Sequence, residues 1–287
     1  EFHGRGLDAL IPWLEYARDL GASGLLLGPI FESATHGYDT LDHMHIDVRL
    51  GGDAAFDRLI TACRDMGLQV ILDGVFNHVS RNHPAVQASL DEAAGRLDPA
   101  DNPWHGLVRT HVGDNGEPTL DVFEGHDDLV ALDHSSDKTV DYVARVMNYW
   151  LDRGAAGWRL DAAYAVPSVF WARVLPQVKA THPDSWVFGE VIHGDYPRIV
   201  EESTMDSVTQ YELWKSIQHA LETENFFELD WNLKRHNSFL DSFVPQTFIG
   251  NHDVTRIASQ IGSAKAPLAL AVLMTVGGMP SIYYGDE

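Results

Sequence analysis

The chain has 287 residues, of which 45% are hydrophobic and 22% charged, so it is long enough for one large α/β barrel with a sizeable core. Its formal net charge of −22 repels phosphate backbones and anionic membranes, which argues against nucleic-acid and membrane partners and suits a neutral substrate such as a sugar. No apolar run reaches the roughly 20 residues of a membrane span, and Cys63, the single cysteine, excludes an internal disulfide and permits a reducing compartment.

Short apolar runs rich in β-branched residues alternate along the chain with longer amphipathic segments. The apolar runs predict buried parallel strands at residues 25–31, 69–75, 157–161, 186–191, 207–211, 247–250 and 280–284. The amphipathic segments predict helices at residues 7–20, 54–66, 139–151, 169–180 and 266–276. Three of these helices are expected to stop at a glycine, namely Gly21, Gly67 and Gly154. Strands that alternate with helices at this spacing indicate repeated βα units and a (β/α)8 TIM barrel.

The count of strands and one irregular stretch define the predicted domain organisation. The runs supply seven strands where a barrel needs eight, so we expect the first strand and the last helix to lie outside this sequence. Residues 79–137 contain no clean βα unit and are rich in Asp, Gly, Pro and His, with scattered aromatic residues. We therefore predict a barrel built from residues 1–78 and 138–287, with residues 79–137 as an insert after the third strand that forms a lid or substrate wall.

Polar residues follow the predicted strands at the ends where a βα barrel carries its active site. They occur in six short motifs: HGYD at residues 36–39, DGVFNH at 73–78, RLD at 159–161, GEV at 189–191, QYE at 210–212 and NHD at 251–253. Burying so many polar groups only for stability would be costly, because unpaired charges lose their solvation without return. The motifs therefore predict a functional site on one face of the barrel.

The residue types at these strand ends fit the hydrolysis of an acetal. Glycosidic cleavage with retention needs a proton donor and a carboxylate nucleophile about 5–5.5 Å apart. Asp161 and Glu190 end neighbouring predicted strands, which lie about 4.8 Å apart in a sheet, so they are expected to meet this separation. Arg159 lies on the same side of its strand as Asp161 and should keep that carboxylate ionised. Glu190, between the apolar residues Phe188 and Val191, is better placed to hold a proton.

Several segments of the sequence resemble the signature regions of the alpha-amylase family of retaining glycoside hydrolases. They occur in the family's order at residues 73–78, 157–161, 188–191 and 248–253. Residues 36–40 (HGYDT) and 278–285 (GMPSIYYG) resemble two further family segments, so the resemblance runs from about residue 7 to the last residue. It implies a (β/α)8 barrel, an insert that corresponds to the family's domain B, and a C-terminal β-domain beyond this sequence.

The resemblance also implies roles for individual residues. Asp161 corresponds to the nucleophile, Glu190 to the general acid/base, and Asp253 to the third carboxylate, which grips sugar hydroxyls and favours the distorted ring. Tyr38 corresponds to the residue that stacks on the attacked glucose. The other positions implied to line the subsite of that glucose are His78, Arg159 and His252.

Two positions depart from the pattern of the starch-cleaving members, and a third departs from that of the oligosaccharide-acting branches. These members often carry a Lys-His pair three and four residues after the nucleophile, where this chain has Tyr164 and Ala165. The chain is more similar to the oligosaccharide-acting branches, which comprise maltodextrin glucosidases, cyclodextrin hydrolases and neopullulanases. Those branches often place Trp two residues after the acid/base, where this chain has Ile192.

The resemblance leads to a functional hypothesis with two alternatives. The expected function is hydrolysis of α-glucosidic bonds, mainly α-1,4, in maltooligosaccharides, cyclodextrins or related α-glucans, by double displacement. A transglycosylase or isomerase would use the same catalytic residues with a sugar in place of water. A catalytically inactive, sugar-binding relative is the third reading, against which the presence of all three carboxylates argues.

No cofactor is expected to be required. Asn77 corresponds to a family calcium ligand, and because oxygen donors suit that ion, calcium at Asn77 is left open. The 15 histidines form no His-Glu-x-x-His motif, and the single cysteine allows no cysteine pair, which argues against a transition-metal site. The expected partner is an α-glucan oligosaccharide, with neither nucleic acid nor membrane, and the sequence leaves a homo-oligomer open.

Overall fold

The structure is a computed structural model that describes residues 6–113 and 116–287. The chain divides into two compact units, Glu1–Val187 and Phe188–Glu287. The helices of the first unit are α1 (Leu14–Asp19), α2 (Gly52–Asp65), α3 (Pro84–Ala93), α4 (Asp137–Asp152) and α5 (Ser168–Thr181). Short 3-10 helices occur at Leu7–Trp13, Val48–Leu50, Pro99–Asp101 and Ala163–Ala165.

The strands of the first unit include the predicted parallel ones and several that the sequence did not indicate. They are β1 (Gly24–Leu26), β2 (Phe31–Ser33), β3 (Thr40–Ile46), β4 (Gln69–Gly74), β5 (His78–Ser80), β6 (Thr110–Val112), β7 (Pro118–Leu120), β8 (Val122–Phe123), β9 (His126–Ala131) and β10 (Gly157–Leu160). β11 (Trp186–Gly189) begins at the end of this unit.

Strand β4 is the centre of the parallel sheet in the first unit. It pairs with β1 on one side and with β10 on the other, both in parallel. All four residues of β10 are buried, as predicted for a strand that is covered on both faces. The core on this sheet is aromatic: the ring centroids of Phe31 and Trp150 are 5.3 Å apart, and those of Phe76 and Trp158 are 5.6 Å apart.

The apolar run at residues 25–31 was predicted as one strand, and this prediction was wrong. β1 ends at Leu26, and the chain then passes through Gly28 and Pro29 before β2 begins at Phe31 and pairs antiparallel with β3. Proline lacks the backbone N–H that a ladder requires, so the parallel strand cannot continue through this point. The remaining predicted runs each overlap a parallel strand, and each of these strands is shorter than predicted.

The predicted helices are present, with shifted ends. The first of them, at residues 7–20, consists of a 3-10 helix with Pro12 inside it followed by α1. The predicted helix stops Gly21, Gly67 and Gly154 all have positive φ, of 93°, 73° and 103° respectively. No described helix is both long enough and apolar enough to cross a membrane.

The stretch predicted as an insert contains small antiparallel sheets. β9 pairs with β5 and with β8, and β6 pairs with β7. Helix α3 begins after His83, whose Nδ1 accepts a hydrogen bond from the amide of Ala85 at 3.1 Å. These elements connect residues that are close in sequence, as in a βα-loop excursion from a barrel.

The second unit contains predicted strands and four helices that the sequence did not predict. Its helices are α6 (Tyr196–Ser203), α7 (Tyr211–Thr223), α8 (Phe227–Phe239), α9 (Ile257–Ile261) and α10 (Ala266–Leu273). Its strands, which follow β11, are β12 (Ser207–Val208), β13 (Gln246–Phe248) and β14 (Met279–Ser281).

Two parallel pairings organise the second unit. Residues Phe188 and Gly189 of β11 pair with β12, and β13 pairs with β14. Helix α7 buries Leu213 and Ile217 in a core that also contains Leu273 of α10. The predicted strand at 207–211 is therefore cut short, because α7 begins at Tyr211.

Candidate active site

In the first unit, the guanidinium of Arg159 joins two buried carboxylates. Its Nη1 donates to both oxygens of Asp73 at 2.7 and 2.9 Å and to Oδ1 of Asp161 at 3.0 Å. Arg159 and Asp73 lie directly opposite each other in the register of β10 and β4, and Asp161 follows the end of β10. All three residues are at most 8% exposed, so this ion-pair group is shielded from solvent. Charge interactions are stronger in such a buried position than at the surface.

Tyr38 contacts the same group from the loop between β2 and β3. Its hydroxyl donates to Oδ2 of Asp73 at 3.2 Å. The loop is held by Asp39, whose carboxylate accepts hydrogen bonds from the amide and hydroxyl of Thr35. Gly37 has φ +101°, and a Cβ there would lie 3.0 Å from the carbonyl oxygen of Pro29. A larger residue at 37 would therefore displace the loop that carries Tyr38.

His78, the residue that begins β5, contacts the backbone of this loop. Its Nε2 lies 3.1 Å from the carbonyl oxygen of Tyr38 and its Nδ1 lies 3.1 Å from Nδ2 of Asn77. Burial lowers the pKa of His78 from 6.5 to about 4, so the ring is neutral near pH 7. The two contacts then define the tautomer, with Nε2–H donating to Tyr38 and Nδ1 accepting from Asn77. The ring of Phe123 stacks on the imidazole at 4.8 Å.

Asn77, which corresponds to a calcium ligand of the family, contacts His78 through its side chain. The amide nitrogen of Asn77 is engaged by His78, and the described residues contain no group of three or more His, Cys, Asp or Glu that could hold a metal ion. Calcium requires six to eight oxygen ligands. The contact with His78 uses the amide nitrogen of Asn77, whereas calcium would bind the amide oxygen, so calcium at Asn77 stays a prediction.

The residues after Asp161 differ from an ordinary strand-to-helix connection. Ala162 is buried and has φ 46° and ψ 35°, a left-handed conformation that is uncommon for a residue with a side chain. Tyr164 lies two residues further on, where starch-cleaving relatives often carry Lys, and its hydroxyl donates to Glu124 at 3.0 Å. Tyr164 thus contacts the predicted insert.

In the second unit, Glu190 and the segment that carries Asp253 belong to one hydrogen-bonded group. The hydroxyl of Tyr211 donates to Oε1 of Glu190 at 3.3 Å and accepts a hydrogen bond of 2.7 Å from Nδ2 of Asn251. Oδ1 of Asn251 accepts from the amide of Asp253 at 2.9 Å. Nε2 of His252 lies 3.4 Å from Oδ2 of Asp253. Glu190 is buried, whereas the side chain of Asp253 is 46% exposed.

Tyr211 and Asn251 were not assigned a role from the sequence, although both belong to the polar motifs at the strand ends. Asp73 was also left out of the predicted site residues, yet it binds both Arg159 and Tyr38. The signal that could have found all three is their position, since each lies at the end of a predicted strand or directly after it.

Comparison with known proteins identifies the family of the chain. Residues 5–287 match the model of the alpha amylase catalytic domain. The chain belongs to the alpha-amylase family of glycoside hydrolases. The family that the sequence predicted is therefore confirmed. The resemblance to its oligosaccharide-acting branches is confirmed as well, because the similar proteins named below include a cyclomaltodextrinase.

Among curated relatives of the alpha-amylase family, a maltogenic alpha-amylase of Bacillus acidopullulyticus is 29% identical over 297 residues, covering all of this chain and 50% of the relative. A cyclomaltodextrinase of Geobacillus thermopakistaniensis is 30% identical over 297 residues, with the same coverage. The chain thus spans about half the length of the curated relatives it matches.

Solved structures of the family agree with the fold. A cyclic alpha-maltosyl-(1→6)-maltose hydrolase of Arthrobacter globiformis superimposes with a TM-score of 0.86 at 27% identity, covering 99% of this chain and 66% of the other. The family and this structure imply the (β/α)8 barrel that the sequence predicted. The parallel pairing of β1, β4 and β10 agrees with it.

Proposed function

We propose that the protein hydrolyses α-glucosidic bonds, mainly α-1,4, in maltooligosaccharides, cyclodextrins or related α-glucans, with retention of configuration. The names of the relatives and of the structural neighbour support this substrate class. The observation that carries the proposal is the buried group of Arg159, Asp73 and Asp161, with Tyr38 against it. A neutral sugar suits a chain of net charge −22.

In the proposed reaction, Asp161 is the nucleophile and Glu190 the general acid/base. An oxygen of Asp161 bonds to the anomeric carbon while the glycosidic C–O bond breaks, and the proton of Glu190 passes to the departing oxygen. Glu190 then removes a proton from water, which attacks the anomeric carbon and releases Asp161. Two displacements at the same carbon give net retention.

The other predicted residues receive supporting roles in this proposal. Arg159 places a positive charge 3.0 Å from Oδ1 of Asp161 and fixes its orientation. Tyr38 offers its ring to the attacked glucose, and His78 holds the backbone of Tyr38. Asp253 and His252 bind the hydroxyls of the same glucose. We also propose that residues 79–137 are the counterpart of the family's domain B.

The nucleophile is tested with Asp161→Asn in the full-length protein. The amide keeps the size of the side chain but is a very poor nucleophile, so we expect kcat to fall by more than about 10³-fold with maltotriose. Asp65→Asn, at an exposed carboxylate of α2, is the matched control and should retain activity. Full activity of a correctly folded Asp161→Asn variant contradicts the assignment.

The acid/base role is tested with Glu190→Gln. Activated aryl α-maltosides need little protonation of their leaving group, so we expect their kcat/KM to suffer far less than that of maltotriose. Equal losses on the two substrates count against the role of Glu190.

Product analysis over time separates hydrolysis from transfer. The protein is incubated with maltotriose, a cyclodextrin and pullulan, and products are followed by chromatography. We expect no product with more glucose units than the substrate, and the newly released reducing end as the α-anomer. Products longer than the substrate would indicate a transglycosylase that uses the same residues.

We further propose that no cofactor is required, because the proposed double displacement uses only two carboxylic acid side chains and water. A bound ion would stabilise the folded state by mass action. Dialysis against EDTA should therefore leave both the melting temperature and kcat/KM unchanged. If EDTA lowers the melting temperature or kcat/KM and added calcium restores it, the protein binds calcium and the proposal is wrong.

A further inference from the structure

A continuous path of hydrogen bonds within the second unit connects the side chain of Glu190 to the backbone of Asp253. It runs from Oε1 of Glu190 to the hydroxyl of Tyr211 at 3.3 Å, then to Nδ2 of Asn251 at 2.7 Å. It ends with Oδ1 of Asn251 and the amide of Asp253 at 2.9 Å. The two linking residues are 40 positions apart in the chain, so the path is a tertiary feature.

The position of Tyr211 is fixed by helix packing and by a cap. It is the first residue of α7, which begins where the side chain of Gln210 accepts a hydrogen bond from the amide of Leu213 at 3.2 Å. Its ring lies edge-on against Phe248 at 4.9 Å and Trp214 at 6.0 Å, and the residue is only 7% exposed. The hydroxyl is therefore held in place without help from Glu190.

The donors and acceptors along the path have one consistent direction. Asn251 uses both ends of its amide, because Nδ2 donates to Tyr211 and Oδ1 accepts from Asp253. With a lone pair of the Tyr211 oxygen taken by Asn251, the hydroxyl proton points to Oε1 of Glu190.

We infer that Tyr211 and Asn251 are positioning residues, which orient the carboxyl of Glu190 and tie it to the segment that carries Asp253. This inference rests on the proposed role of Glu190 as general acid/base. A carboxyl that must first give and then take a proton needs a fixed orientation in both steps. A buried hydroxyl that donates one hydrogen bond and accepts another supplies that orientation.

The inference is tested with Tyr211→Phe, which removes the hydroxyl and keeps the ring against Phe248. A hydrogen bond to a charged group is worth enough to change a rate by about tenfold or more. We expect kcat/KM for maltotriose to fall by about this factor, while kcat/KM for an activated aryl α-maltoside changes by less than about twofold. The melting temperature of each variant is measured alongside.

The matched control is Tyr196→Phe in the same unit. Tyr196 is fully buried, and its hydroxyl donates to the carbonyl oxygen of Ile192 at 3.0 Å instead of to a carboxylate. Both substitutions delete one buried, hydrogen-bonded hydroxyl, so both should lower stability. Only Tyr211→Phe is expected to lower activity in a way that depends on the leaving group.

A second variant tests Asn251 separately. Asn251→Asp keeps an oxygen for the amide of Asp253 but replaces the donor to Tyr211 with an acceptor. The Tyr211 hydroxyl should then turn from Glu190 towards the new carboxylate, so this variant should show the same leaving-group dependence. The double variant Tyr211→Phe/Asn251→Asp should be no worse than the more damaged single variant, because both act through one hydrogen bond.

The outcomes separate this inference from the proposed function. If Glu190→Gln itself shows no leaving-group dependence, the role of Glu190 is wrong. If Glu190→Gln shows it and Tyr211→Phe behaves like the unaltered protein or like Tyr196→Phe, the positioning role of Tyr211 is wrong. Independent, additive losses in the double variant would overturn the link through Asn251.

Discussion

At the residue scale, the guanidinium of Arg159 holds two buried carboxylates together. One guanidinium nitrogen reaches three carboxylate oxygens of Asp73 and Asp161, and its planar group leaves further donors in a rigid frame. An ammonium group is a point charge on a flexible stem, so it would settle on one carboxylate and leave the other less well held. Losing a partner inside a buried ion group is much more costly than losing one at the surface.

Arg159→Lys is therefore expected to lower kcat/KM for maltotriose by at least about tenfold. Arg153→Lys is a good control, since Arg153 also binds two carboxylates, Asp53 and Asp57, but lies outside the strand-end motifs. The control should lose stability and keep its activity. Equal kinetic losses in the two variants would show that Arg159 acts through stability alone.

Ala162 is one of four described non-glycine residues with a positive φ, and it directly follows Asp161. A left-handed conformation costs an alanine roughly 1 kcal/mol, and a β-branched residue more. Ala162→Gly removes that cost but adds chain entropy to the unfolded state, so the free energy of unfolding should change by less than about 1 kcal/mol. Ala162→Val should lower it by more than about 1 kcal/mol, because Ala162 is also buried. Urea denaturation of both variants measures this, and a stabilised Val variant would contradict the argument.

A role can be predicted from sequence where it shows in a local pattern. Asp161, Glu190 and Arg159 lie at the ends of apolar strand runs, and their residue types predict acid–base chemistry. Tyr211 and Asn251 could not be assigned, because the partners that give them a task lie 21 and 40 positions away in the chain. The role of a hydroxyl depends on its hydrogen-bond partners, which the local sequence does not reveal.

At the element scale, predictions succeeded where a segment is long and periodic. Helices α2, α4 and α5 have 14, 16 and 14 residues, and each repeats a buried face over several turns. The antiparallel strands of the insert have two to six residues, too few for an alternating pattern to be distinct from a loop. Helix α7 was missed because it begins at Tyr211, inside the run that was predicted as a strand, and α8 was missed because it follows α7 after a connection of only three residues.

His83 caps the N-terminus of helix α3, and its titration should make the free energy of unfolding depend on pH. Burial lowers the pKa of His83 from 6.5 to about 3, while its Nδ1 must stay unprotonated to accept from Ala85. As pH falls below 6.5 the unfolded chain binds a proton that the folded chain does not, so the free energy of unfolding decreases. The decrease continues until pH approaches the folded pKa.

His83→Asn keeps a good N-cap acceptor and removes the titration. We expect the loss of unfolding free energy between pH 6 and pH 4 to be smaller in this variant by about 2 kcal/mol. His193→Asn, at an exposed histidine, is the control and should leave the pH dependence unchanged. Urea denaturation at several pH values gives the slopes, and identical slopes for His83→Asn and the unaltered protein would contradict the coupling.

At the scale of the whole molecule, two electrostatic effects oppose each other. The 42 acidic residues outnumber the 20 basic ones, so repulsion among surface carboxylates destabilises the compact state. Surface ion pairs act in the other direction; Arg58 and Asp8, for example, are 2.6 Å apart with both side chains about half exposed. Each such pair contributes about 0–1 kcal/mol, and salt screens it as effectively as it screens the repulsion.

The excess of like charges should decide the balance, because every unpaired carboxylate repels several others while each ion pair is a single attraction. Raising NaCl from 0.01 M to 0.5 M shortens the Debye length from about 30 Å to a few ångströms, so we expect the melting temperature to rise by several degrees. The buried contact of Arg159 with Asp161 is poorly screened, and the proposed substrate is uncharged, so kcat/KM for maltotriose should stay constant over the same range. A melting temperature that falls with salt would show that the ion pairs outweigh the repulsion. A kcat/KM that depends on salt would instead show that the surface charge affects substrate binding or cleavage.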